Sequence, residues 1–274
     1  MTTGGYPEER DDRAKEAEAH EESVPEGEII YRSVRQDGEY TLRRPSSELI
    51  WSGVAAGLSM GFSLAGEGLL KAHVPEAPWA MLITKFGYAL GFLIVILGRQ
   101  ELFTEQTLTA MLPLFAKDRE EGTLSNVARV WIVILLANLV GTAAFALAAA
   151  WTPLFSPEVQ TAFDAIGQTA MSHSAYTVFI RGIAAGFLIA TMVWLLPGAG
   201  PARLWIVLIL AYVVGIGELS HVIAGSSECL FVVLRGGRSF AGFVSAYLLP
   251  SLAGNSIGGV ALVAALAHVQ HAPE

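Results

Sequence analysis

Gly215-Ile216-Gly217-Glu218-Leu219-Ser220-His221 interrupts a long apolar run with a carboxylate, a hydroxyl and an imidazole. Such groups are costly in hydrocarbon, so a chain that places them there needs them. An earlier apolar run is broken in the same way by Gly98-Arg99-Gln100-Glu101-Leu102-Phe103-Thr104. Setting Gly98 against Gly215 also sets Glu101 against Glu218 and Thr104 against His221, 117 residues apart. The same offset carries Asn138-Leu139-Val140-Gly141 onto Asn255-Ser256-Ile257-Gly258. Ahead of each broken run, Gly53-Val54-Ala55-Ala56-Gly57 recurs as Gly182-Ile183-Ala184-Ala185-Gly186 with roughly a dozen extra residues between the landmarks. Three landmarks in the same order twice indicate an internal repeat.

The composition around these breaks is that of a membrane protein: 53% hydrophobic and only 15% charged over 274 residues, with a mean hydropathy of +0.50. Apolar runs able to cross about 30 Å of hydrocarbon lie at 49–71, 79–98, 127–151, 174–197, 203–217 and 239–267. The pieces 105–116 and 222–234 are too short to span alone. Each reads as the second half of a helix interrupted at membrane depth, which is tolerated only inside protein or beside a polar cavity. The expected fold is therefore all-α and integral to the membrane, with six transmembrane helices as a 3+3 inverted repeat in which helices two and five are broken. Asn138, Asn255, Gly98 and Gly215 are its structural landmarks.

The net charge of -8 comes largely from the acidic N-terminal stretch. Residues 1–45 read as a disordered acidic tail or a frayed helix, followed by a membrane domain over 46–270. The tail lacks the basic start and apolar stretch of a signal peptide, so the first span serves as its own insertion signal. Arg43, Arg44, Lys117, Arg119, Arg129 and Arg203 flank one set of loops, which puts both termini in the cytoplasm. No basic face exists for nucleic acid. The single Cys229 excludes an intramolecular disulfide and a cysteine metal cluster. With no nucleotide-binding loop, paired-histidine motif or nucleophile elbow, neither enzyme activity nor a metal or other cofactor is expected.

From Leu49 to Ala267 the chain resembles the formate/nitrite transporter family. Glu101-Leu102-Phe103-Thr104, His221, Arg181-Gly182-Ile183-Ala184-Ala185 and Leu249-Pro250-Ser251-Leu252-Ala253-Gly254-Asn255-Ser256-Ile257-Gly258-Gly259 carry the likeness. It implies an aquaporin-like fold in a homopentamer within a bacterial inner or plasma membrane. Each protomer would hold its own pore for a small monovalent anion such as formate or nitrite, or for the neutral acid. It further implies that Thr104 and His221 form the pore centre with Phe103 beside them, that Tyr88 and Phe92 form one constriction, and that Val214 belongs to a second. The chain departs from the family pattern at Ser220, where a glutamate is usual, and at Gly186, where an asparagine is common. The usual outer lysine is missing, with His173 the basic candidate in its place, and Glu105 and Gln106 follow Thr104 where small neutral residues are usual.

An anion entering a low-dielectric pore must have its hydration replaced, and a neutral weak acid escapes most of that cost. An imidazole suits this, because it donates a hydrogen bond when neutral and holds an anion when charged, so a proton-coupled path through His221 is one expectation. A histidine that only ties helices together is the alternative for this residue, and a backbone-bonded hydroxyl is the alternative for Thr104. Glu101, Glu218 and Ser220 are candidates for bracing the breaks or carrying protons. Glu67, Lys85, Arg99, Glu105, Arg181 and Glu228 also fall in or near apolar runs, without assignable partners. Two other functions stay open: a pore for a neutral small solute, and a non-transporting membrane scaffold or sensor whose tail binds a partner.

Overall fold

Alternation between apolar runs and polar punctuation yields ten α-helices of 7 residues or more among the residues described by the computed structural model, 27–116 and 119–271. In chain order they are α1 Gly27–Arg43, α2 Ser46–His73, α3 Ala80–Leu97, α4 Phe103–Thr109, α5 Thr123–Trp151, α6 Pro157–Ala170, α7 Ala175–Leu195, α8 Arg203–Ile216, α9 Val222–Leu234 and α10 Leu249–His271. A π-helical stretch, Phe243–Leu248, runs directly into α10. The segments long and apolar enough to cross a bilayer are α2, α3, α5, α7 and Phe240–Val263, whereas α8 and α9 are apolar but shorter. Ile50, Trp51, Phe62, Phe86, Ile132, Leu136, Phe187 and Ile209 stand exposed on the outside of the bundle, as expected where lipid or another copy replaces water.

Two regions differ from expectation. Of the acidic tail expected over 1–45, residues 1–26 lie outside the described residues, but 27–43 form the ordered helix α1. Tyr31, Val34 and Leu42 repeat at helical spacing and are buried, the first two against Leu108, Leu112 and Val263. The density of acids ahead of this segment hides that stripe. Arg129 then fixes the corner after α1 by donating to Leu42 O at 2.7 Å and Arg44 O at 3.1 Å. The second difference is α6, which occupies a stretch expected to be a connection. Its Phe163 is fully buried, with ring centroids 5.0 Å from Phe155 and 5.3 Å from Phe231.

Close helix pairs meet at small residues. A Cβ at Gly57 would strike Asn138 O and crowd Gly141 across the α2–α5 contact. At Gly186 it would strike Asn255 O across the α7–α10 contact. Without a hydrophobic drive between apolar helices in lipid, backbone approach of this kind is what holds them. Gly186→Val is therefore expected to cost at least about 1–3 kcal/mol of overpacking. The loss should appear as a lower unfolding midpoint and less monodisperse protein in detergent.

At the two caps the repeat is carried by hydrogen bonds in a register two residues away from the one the sequence suggests, whereas Asn138 and Asn255 keep the sequence register. At the end of α3, Gln100 N–H reaches Val95 O at 3.0 Å with Arg99 left-handed at φ 50°; at the end of α8, Leu219 N–H reaches Val214 O at 3.0 Å with Glu218 at φ 47°. Both ends have the six-to-one bond of a Schellman cap, with a non-glycine residue in the left-handed position. Gly98 thus corresponds to Gly217, Arg99 to Glu218 and Glu101 to Ser220. Gly215 lies inside α8, where the absence of a side chain admits the Tyr88 ring.

Candidate functional site

Asn138 and Asn255 set the positions of the two short helices that follow these caps. Asn138 Nδ2 donates to Gly53 O at 2.8 Å and Glu101 O at 2.9 Å, while its Oδ1 accepts from Phe103 N–H, the first residue of α4, at 2.9 Å. Asn255 Nδ2 donates to Gly182 O and Ser220 O at 2.8 Å, and its Oδ1 accepts from Val222 N–H, the first residue of α9, at 2.8 Å. One carboxamide thereby ties together a long helix, the end of a cap and the start of a short helix, and does so twice. Both side chains are fully buried and use donors and acceptor alike.

The starts of α4 and α9 meet at Thr104 and His221. His221 is the N-cap of α9, and its Nδ1 accepts from Ala224 N–H at 3.1 Å. That bond leaves the hydrogen of a neutral ring on Nε2, which lies 2.8 Å from Thr104 Oγ1. Nε2 is then the donor and Thr104 the acceptor, so the threonine hydroxyl proton remains available to a third group. Both residues are 0% exposed.

Other expected site residues fall around this pair to differing degrees. The Phe92 ring packs edge-on to His221 at 4.9 Å, and Tyr88 packs on Phe92 at 5.5 Å. Phe103 turns toward Trp131 of α5, 5.6 Å between centroids. Val214 is buried close to Gly215 and Tyr88. Glu101 is paired with Arg44 and accepts from Gln106 Nε2 at 2.7 Å. Glu218, on the exposed side of its cap, accepts from Arg181 at 3.2 Å, with His173 Nε2 3.9 Å away. The two acids therefore do not correspond, since each cap takes its own partner. Ser220 contributes its backbone carbonyl to Asn255. Glu105 is half-buried and Arg99 exposed.

Above the pair lies a cavity of about 620 Å³. Tyr88, Val214, Gly215 and Ser220 line its inner part together with Glu67, Lys85, Glu228 and Tyr247, whereas Phe92, Thr104 and His221 do not reach it. Lys85 Nζ lies 2.6 Å from Glu67 Oε1 and 5.9 Å from the Tyr88 ring centroid. The pairing joins α2 to α3 and has no spacing signature. Tyr247, which the sequence reading passed over, donates to His221 O at 3.4 Å from the π-helical stretch. Among the described residues no group of three or more His, Cys, Asp or Glu side chains is arranged to hold a metal ion.

A family model described as Formate/nitrite transporter matches residues 28–269. Inner membrane protein YfdC of Escherichia coli (strain K12) is 39% identical over 266 residues, covering 96% of this chain and 84% of that protein. Formate channel FocA of Haemophilus influenzae is 28% identical over 153 residues, 53% of this chain and 51% of that protein. Among solved structures, a pentameric formate channel with formate bound superposes with a TM-score of 0.72 at 19% identity, over 83% of this chain and 98% of that one. An FNT family ion channel gives 0.77 at 17% identity, over 89% and 99%.

Proposed function

The chain belongs to the formate/nitrite transporter family, and on that premise we propose that it is a channel or secondary transporter for a small monovalent anion or its neutral acid. The observation that carries the reading is the buried Thr104–His221 hydrogen bond where α4 and α9 meet, beneath a cavity. In this reading α3 with α4, and α8 with α9, are the two interrupted spans of a six-span inverted repeat, and the doubled asparagine and Schellman hydrogen bonds support that equivalence. The assembly is a homopentamer, as in the pentameric formate channel that shares the fold. The distribution of basic loops supports a cytoplasmic position for both termini, with the cavity on the opposite side.

Transport proceeds as follows. A solute leaves the cavity past Tyr88 and Val214, skirts Phe92 and meets the Thr104 hydroxyl, which donates to it while Thr104 accepts from His221. The hydrogen bond from the donor chain replaces lost hydration. His221 acts as a neutral donor in this scheme. Charging it would place a second proton on Nδ1 and break the Ala224 cap, so proton coupling through this residue requires the start of α9 to open. Asn138 and Asn255 hold the two short helices in register, and Glu101 with Arg44 braces the first cap.

Carboxylates outnumber lysines around the cavity, which favours a second reading as a neutral-solute pore. Stopped-flow measurements on proteoliposomes with formate, nitrite, acetate and glycerol at about pH 5.5 and 7.5, on either side of an unperturbed imidazole, separate the two. Anion-dependent uptake is expected, faster at the lower pH because a larger share of each weak acid is then in the neutral form that enters at less cost. Glycerol flux with no anion flux would replace the anion reading by the neutral one.

A further inference from the structure

The inner cavity holds a charge arrangement that the transport scheme does not use. Glu67 comes from α2, Lys85 from α3 and Glu228 from α9, and all three line the cavity beside Tyr88 and Tyr247. Lys85 sits 2.6 Å from Glu67 Oε1. The other oxygen, Glu67 Oε2, is buried without a hydrogen-bond partner, on a side chain only 4% exposed. Glu228 is 8% exposed, and no hydrogen bond or ion pair reaches its carboxylate from the described residues. Lys85 therefore stands against two buried carboxylates, with the exposed Lys71 on the outer part of the same cavity, and the Glu228 carboxylate keeps its acceptor positions free. A buried carboxylate left in this state is costly, and a group that brings positive charge and N–H donors would relieve it.

We propose that this part of the cavity is a binding site for a small monovalent ammonium-type cation, held by the carboxylate of Glu228 beside the Glu67–Lys85 pair and next to the two tyrosines that line the same cavity. A carboxylate and aromatic rings match an ammonium group, whose N–H donors take carboxylate oxygens and whose charge is attracted to ring faces. The same donors are a poor set for calcium or magnesium, which require six or more oxygens or an octahedron with retained water. A cavity of about 620 Å³ admits ammonium or methylammonium with room for water. The site lies on the approach to the Tyr88 and Val214 passage, so its occupant would also offset the negative lining that faces an incoming anion.

Isothermal titration of the purified full-length protein with methylammonium chloride, at constant ionic strength against sodium chloride, tests this directly. Saturable binding is expected in the wild type, weakened about tenfold or more in Glu228→Gln, an exchange that strands no partner because the carboxylate has none. Asp164→Asn, on the same side of the protein but outside the cavity lining and paired with Arg235, serves as the control for general acidity and should bind as the wild type does. Failure of the wild type to bind methylammonium more tightly than sodium would overturn the proposal. Equal losses in Glu228→Gln and Asp164→Asn would overturn it too, since attraction would then be diffuse. The result does not depend on which solute crosses the pore, so it stands or falls separately from the transport reading.

Discussion

Replacing Asn255 by alanine is expected to abolish the stable fold, and Asn138→Ala to do nearly as much. Each side chain makes three buried hydrogen bonds with protein backbone, at 2.8 to 2.9 Å. Truncation leaves one N–H, of Phe103 or Val222, and one C=O, of Glu101 or Ser220, without partners in a fully buried place, and each orphaned group costs about 1–3 kcal/mol. The loss is therefore roughly 2–6 kcal/mol, up to the whole stability of a marginal domain. Asp at either position keeps the acceptor and removes the donors, so it should rescue less than glutamine, which keeps both at the expense of an added methylene. Detergent-solubilised yield and the unfolding midpoint measured for the six variants check the order. Alanine variants as stable as the wild type would mean that the short helices are positioned by packing alone.

Lys85→Met is the second large effect. It removes the cation 2.6 Å from Glu67 and leaves a carboxylate that is 4% exposed without its partner. Removing one member of a buried pair typically costs about 3–5 kcal/mol, because the surviving charge is uncompensated. The double variant Glu67→Gln/Lys85→Met should recover most of that loss, since replacing a buried pair by groups without charge is often neutral or better. A thermal-unfolding double-mutant cycle over Glu67 and Lys85 measures the coupling. If the single and double variants are equally destabilised, the pair is not the reason Lys85 matters.

Much of this architecture was legible in the residues, and the reasons differ from place to place. Apolar runs at 49–71, 79–98, 127–151 and 174–197 became helices Ser46–His73, Ala80–Leu97, Thr123–Trp151 and Ala175–Leu195, because the length and apolarity of a run are local properties. The paired asparagines were visible because the same chemical requirement recurs at the same spacing. Aligning Gly98 with Gly215 does not give the register of the caps, because the left-handed positions are filled by Arg99 and Glu218. That shift separates Glu101 from Glu218, which side-chain identity alone sets in equivalent positions. Helix α1 was hidden because acids just ahead of it suggested a tail, while its apolar stripe needed α4 and α10 to bury it. The Glu67–Lys85 pair and the reach of Tyr247 to His221 join separate elements, so only the packed chain reveals them.

In the proposed route, solute passes Thr104 where it meets His221. Thr104→Val keeps the shape of the side chain and removes the hydroxyl, leaving the Ala224 cap on His221 in place. Formate uptake into proteoliposomes, at matched protein density and oligomeric state, is predicted to fall about tenfold or more in Thr104→Val, the effect of losing one charge-assisted hydrogen bond. Uptake equal to that of the wild type would contradict the account and place the conducting path elsewhere.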